Sequence, residues 1–246
     1  MQRVKAIISY DGTNFSGWQV QPGARTVQKE VEAVLTKIHK GQRTSAIASG
    51  RTDSAVHSVG QVMHFDTPFA IPEEKWPKAI NKLLPPDVQV KASFYVDSSF
   101  HARFDAVEKE YRYRVHNVKE KDIFRRNHVY FYPYPINVEE IKQAASYMVG
   151  THDFSSFCAS RTDVVDMVRT IHEVRVEEHG DELHFVFRGS GFLYNMVRIM
   201  VGTLLEAGKG LRQADDVPGI IEAKSRPAAG NTVPGHGLYL WDVSYD

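Results

Sequence analysis

The chain has 246 residues, 42% of them hydrophobic, and its 30 basic side chains balance 30 acidic ones to a formal net charge of +0. That length and apolar content suit one large or two small globular domains with a substantial core, while the charge balance does not advertise a nucleic-acid binder, so any such role rests on charge placement. A single cysteine, Cys158, excludes an intramolecular disulfide, and no long uncharged apolar run marks a signal peptide or a membrane span; a reducing, cytoplasmic setting is expected.

Val4, Ala6, Ile8 and Tyr10 alternate with more polar neighbours, which predicts a first strand ending at Asp11-Gly12. A loop rich in Gly, Asn and Gln runs to Arg25. Thr26 is placed to cap a helix whose apolar positions Val27, Val31, Val34, Leu35 and Ile38 keep helical spacing, with Gly41 at its end. A strand through Ala48, a strand over 59–65, a helix over 72–84 and a strand over 88–95 follow. Beyond a junction near residue 104 come a strand over 111–116, a helix over 138–149, and a hairpin that turns at Glu178-His179-Gly180-Asp181 into the alternating Leu183, Phe185 and Phe187. A long apolar helix over 192–205 stops near Gly208, and 237–243 reads as a final strand. This mixture predicts an α+β fold of two sub-domains, 1–104 and 105–246, with mainly antiparallel sheets flanked by helices.

The segment Gly50-Arg51-Thr52-Asp53-Ser54-Ala55-Val56-His57 sets a carboxylate beside an arginine in a turn between two apolar runs. A rigid sheet that carries a loop is where catalytic groups concentrate, although Asp and Ser in turns also commonly bond their own backbone. Arg198 is out of place among Met196, Ile199, Met200 and Val201. A buried arginine on an apolar helix calls for an anion, Asp53 being one candidate, or its head snorkels to water along its stem. On the strand over 111–116, Tyr111, Tyr113 and Val115 share one face, and Arg112 and Arg114 the other. Basic residues from Arg103 to Arg126 interleave with Tyr111, Tyr113 and Phe124, a pattern that suits a phosphate backbone with stacked bases and equally suits the solvated face of an edge strand. No phosphate loop, dinucleotide fingerprint or His-Glu-x-x-His helix is present, and neither His152 with Asp153 nor His179 with His184 completes a metal-ligand set.

From its first strand to its last the chain resembles the TruA family of tRNA pseudouridine synthases. Tyr10-Asp11-Gly12-Thr13-Asn14-Phe15-Ser16-Gly17-Trp18-Gln19 is similar to the family's opening motif, followed by Thr26-Val27-Gln28 and the Gly50-Arg51-Thr52-Asp53 turn. Phe100-His101-Ala102-Arg103-Phe104, residues 109–113, residues 192–202 and Gly237-Leu238-Tyr239-Leu240 continue the pattern in family order. The resemblance implies the pseudouridine synthase fold, with an active-site cleft between the sub-domains, and a cofactor-free, metal-free isomerisation of uridine in the anticodon arm of tRNA, at positions 38 to 40, by a homodimer. It implies that Asp53 is the nucleophile, that Tyr111 lines the uridine pocket, that Arg198 pairs with Asp53, and that Arg51 helps extrude the nucleotide, since a stacked base cannot reach a carboxylate. Arg25, Arg103, Arg112 and Arg125 are candidates for phosphate contacts.

Ser54, Ala55 and Ser58 stand where the family commonly has Ala, Gly and Ala, and Thr232-Val233-Pro234-Gly235-His236 is also altered, which suggests a divergent second family member. If position 55 requires positive φ, alanine there costs about 1 kcal/mol. Two rival readings remain at this level: a non-catalytic RNA-binding protein on the same scaffold, and a glycoside hydrolase, which needs a second carboxyl group close to Asp53.

Overall fold

The computed structural model describes residues 1–159 and 164–246, in two compact units: Met1–Val107 with Tyr239–Asp246, and Glu108–Leu238. Both mix helices with mostly antiparallel strands. No helix among the described residues is long and apolar enough to cross a membrane.

The first unit holds β1 (Gln2–Tyr10), α1 (Val27–Ile38), β2 (Ile47–Ala48), β3 (His57–Thr67), α2 (Trp76–Asn81) and β4 (Val88–Val96). Its strands run β4-β1-β3-β10, the last being β10 (Leu238–Tyr245), and β2 pairs with β3. β1 is antiparallel to both neighbours, with Val4 opposite Phe65 on β3 and Ile7 opposite Ala92 on β4. β10 joins β3 in parallel, Tyr239 opposite His57. The alternation of β1 buries Val4, Ala6, Ile8 and Tyr10, which cluster with Met63 and Phe65 of β3, Val27, Val31, Val34 and Leu35 of α1, and Trp76 and Ile80 of α2. The central β3 is buried on both faces, so polar His57, Ser58, Gln61 and His64 lie inside.

Two expectations need correction here. Thr26 stands at the N-cap of α1, but its hydroxyl is buried and makes no cap bond. The preceding loop does the capping with its backbone: Val27 N–H donates to Gly17 O (3.2 Å) and Gln28 N–H to Trp18 O (3.0 Å). The helix over 72–84 is also shorter than its pattern. A 3₁₀ turn over Glu73–Lys75 leads into α2, which ends at Asn81, where the side-chain amide exchanges two 2.8 Å hydrogen bonds with the backbone of Val90. Pro85 and Pro86 then bar helical continuation.

The second unit holds β5 (Ala106–His116, entering from the first), β6 (Tyr130–Phe131), α3 (Val138–Ser146), β7 (Gly150–Asp153), β8 (Val168–His179), β9 (Glu182–Gly189), α4 (Met196–Gly208) and α5 (Asp216–Glu222). Its strands run β5-β9-β8-β7 antiparallel, with β6 parallel to β5. The expected hairpin is β8–β9, where His179 pairs with Glu182 across Gly180 (φ +62) and Asp181. α4 starts at Met196 rather than at 192, because Asn195 adopts a left-handed φ of 61 in a turn that Met196 N–H closes on Leu193 O (3.0 Å). Gly202 lets the 229–233 segment pass against this helix: an added Cβ would lie 1.8 Å from Asn231 O. β7 and α5 carry no clear period in sequence and appear only in the structure.

Candidate active site

The candidate residues divide between the units, with Arg51 and Asp53 in the first and Tyr111 and Arg198 in the second. In the first, the turn over 52–56 leads directly into β3. Its backbone is pinned to the 11–18 loop: Trp18 N–H donates to Thr52 O (3.1 Å) and Ala55 N–H to Phe15 O (3.2 Å), while Val56 N–H closes the turn on Asp53 O (3.2 Å). The Ser54 hydroxyl also donates to Phe15 O, at 3.3 Å. Glycine is required for this approach. A Cβ on Gly12 would lie 2.1 Å from Val56 O, and one on Gly17, at φ +88, would lie 2.5 Å from Thr52 O.

The turn is also tied inward. Tyr10 Oη and Thr52 Oγ1 share a buried 2.8 Å hydrogen bond, and burial pushes the Tyr10 phenol up to about 12, against the opposing effect of Thr52. Gln61 donates to Gly50 O at 2.9 Å and accepts from the Ser49 hydroxyl at 2.6 Å, which fixes the turn's entry. At its exit, His57 Nδ1 accepts from Gly12 N–H (3.0 Å), lies 3.2 Å from Asp11 Oδ1, and its ring stacks on Tyr239 at 4.7 Å. Asp53 is half-buried on this braced turn, while Arg51 is exposed. Ala55 has φ 62, a left-handed conformation that favours glycine.

In the second unit, Tyr111 on β5 is 8% exposed and meets the ring of Phe192 edge-on at 5.1 Å. Tyr113, two residues on, is fully buried and donates its hydroxyl to Pro234 O (2.8 Å); burial raises its phenol well above the ordinary value. Arg112 and Arg114 are half-buried on the opposite face, as the alternation predicts. Arg198, in the first turn of α4, is half-buried, with Nε donating to Val233 O and Nη1 to Asn195 Oδ1, both at 2.7 Å. Two of its nitrogens are thus held by groups of its own unit.

The four arginines proposed for phosphate differ in surroundings. Arg25 forks onto Asp87 (2.7 and 2.9 Å) and reaches Glu30 (3.1 Å). Arg112 donates to the buried carboxylate of Glu110 at 2.6 Å. Arg125 bridges Asp122, Asp181 and Glu182. Arg103 is exposed and sits 5.7 Å from the ring centre of the exposed Phe104. The sequence reading missed the support around the turn, namely Tyr10 with Thr52, Gln61, and the carbonyl of Phe15. Their signal lay in the clustering of Gly12 and Gly17 upstream, but only contact reveals what those glycines approach.

The structure thus presents a half-buried acid on a braced turn, mounted on a mixed α+β scaffold. A family model described as tRNA pseudouridine synthase matches residues 6–105 and 144–246. The chain is 57% identical over 246 residues, all of both chains, to tRNA pseudouridine synthase A of Anoxybacillus flavithermus. It is 56% identical over 99% of both chains to tRNA pseudouridine synthase A of Bacillus subtilis. Among solved structures, a Cbf5-Nop10-Gar1 complex aligns over 82% of this chain and 54% of the other at 14% identity, with a TM-score of 0.35, too slight a likeness to carry an argument. The chain belongs to the tRNA pseudouridine synthase family, and it is an isomerase.

Proposed function

We propose that the protein adopts the pseudouridine synthase fold and converts uridine to pseudouridine in the anticodon arm of tRNA, acting as a cytoplasmic homodimer. The N1–C1′ bond of the target nucleotide breaks, the base turns, and a C5–C1′ bond forms. The proton on C5 is lost and N1 gains one, so substrate and product are isomers and no redox cofactor is needed.

In this reading the Asp53 carboxylate is the nucleophile, adding either to the ribose or to the base ring. The observation that carries it is the brace on the Asp53 turn: hydrogen bonds from Trp18 and Ala55, and a close approach that only glycine permits at 12 and 17. A backbone fixed in this way holds a reacting group where small misplacements are costly. Arg198 has the role of keeping that carboxylate ionised, Tyr111 of stacking on the turned base and assisting loss of the C5 proton, and Arg51 of filling the place of the extruded nucleotide. Arg103, beside an exposed aromatic ring, is the best placed of the four arginines to meet RNA.

Carbodiimide mapping of an anticodon-arm RNA tests the reaction. Wild-type protein should yield pseudouridine, and Asp53→Asn should lower the rate by at least about a thousandfold while tRNA binding persists. Tight binding with no product from the wild type would instead indicate an RNA-binding module.

A further inference from the structure

The Arg25 side chain is built into the first unit as a strut. Its two terminal nitrogens fork onto Asp87 at 2.7 and 2.9 Å, its Nε reaches Glu30 at 3.1 Å, and its guanidinium carbon lies 4.1 Å from the ring centre of Phe15, which is 3% exposed. The backbone repeats the link: Ser16 N–H donates to Arg25 O (2.8 Å), and Asp11 N–H donates to Asp87 O (3.0 Å). Phe15 is the residue whose carbonyl accepts from Ala55 N–H and the Ser54 hydroxyl. A continuous path thus leads from Asp87 through Arg25 and Phe15 to the two residues that follow Asp53.

We propose that Arg25 is a positioning residue: held by Asp87 and set over the Phe15 ring, it fixes the 11–18 loop and, through the Phe15 carbonyl, the turn that aims Asp53. The proposal rests on the reading of Asp53 as nucleophile, and it replaces the phosphate contact that the sequence suggests for Arg25. Its chemistry suits arginine specifically, because the fork pairs both terminal nitrogens with Asp87 while Nε reaches Glu30, which the single nitrogen of an ammonium cannot reproduce.

Asp87 makes the test decisive, since a carboxylate cannot itself bind a phosphate. We expect Asp87→Asn, Arg25→Gln and Arg25→Lys each to lower kcat by about tenfold with KM within about twofold, and the Arg25→Gln/Asp87→Asn double variant to be no slower than the worse single one. The salt dependence of tRNA binding should keep its wild-type slope. The proposal is overturned if Asp87→Asn leaves kcat at the wild-type value, or if Arg25→Gln raises KM at constant kcat and reduces the salt slope by about one, the signature of a lost phosphate contact. Should Arg25→Gln fail to fold, Arg25→Lys and Asp87→Asn carry the same comparison. Asp53→Asn in the same assay separates this claim from its premise: product from that variant removes the nucleophile, whereas no product from it combined with an unaltered Asp87→Asn removes only the strut.

Discussion

Ala55 stands at φ 62, two residues after Asp53, where a side chain crowds the backbone and glycine does not. Glycine at this position should relieve a left-handed penalty of about 1–2 kcal/mol and return part of it as unfolded-state entropy. Ala55→Gly is therefore expected to stabilise the protein by roughly 0.5–1 kcal/mol. A higher urea midpoint at unchanged slope checks this, and a lower midpoint would show that the methyl group makes compensating contacts. The sequence pointed to this residue by its departure from a pattern but could not supply the angle, because φ is imposed by the bonds from Ala55 to Phe15 and from Val56 to Asp53. Arg25 teaches the same lesson. Along the chain it is one basic residue in a loop, and its acidic partner Asp87 lies 62 positions away.

Among the elements, β3 shows what burial on both faces does to chemistry. His64 Nδ1 accepts a hydrogen bond from Ala102 N–H at 3.1 Å, so the ring must stay neutral there. Burial, assisted by Arg3 and His101 and opposed by Asp66 and Asp105, lowers its pKa from 6.5 to about 4. Between those values the unfolded chain binds more protons than the folded one. The stability contributed by neutral His64 is thus complete above about pH 6.5 and is lost as pH falls toward 4. His64→Gln, which keeps an acceptor oxygen, should show a flatter fall in urea midpoint from pH 7 to 4.5 than the wild type. Identical slopes would mean that His64 does not titrate in that window. The longer strands and long helices were legible from period alone, as α1 and the β8–β9 hairpin show, whereas the short β7 was not. Helix ends were less so: backbone carbonyls of Gly17 and Trp18 replaced the Thr26 hydroxyl, and a left-handed Asn195 delayed α4.

For the whole molecule, the final strand matters most. β10 is the last element in the chain, yet from Tyr239 onward it belongs to the unit that contains the first. It pairs in parallel with β3, buries Tyr239, Leu240 and Val243, and lets Tyr245 donate to Ala102 O at 2.6 Å. Burying three such side chains contributes several kcal/mol, at about 1.5–3 each, which is comparable to a typical domain's total of about 5–15. A chain ending at residue 238 should therefore lose the cooperative unfolding of its first unit and all synthase activity. A sharp, near-wild-type melting transition would contradict this.

The sequence by itself determined the types of the longer elements, the alternating faces of β1 and β5, the carboxylate on a turn between strands, and, through ordered motifs spread over its whole length, the family. All of these are local patterns, or many local patterns in a fixed order, and local periodicity survives in one dimension. Only the tertiary structure decided that Gly12 and Gly17 exist to let one loop lie against another, that Ala55 is held left-handed, that Arg25 is engaged by Asp87, and that the C-terminal strand returns to the first unit. Each of these depends on groups far apart in the chain meeting at hydrogen-bond distance. Nothing in the spacing of residues along the backbone fixes such meetings until the chain has packed.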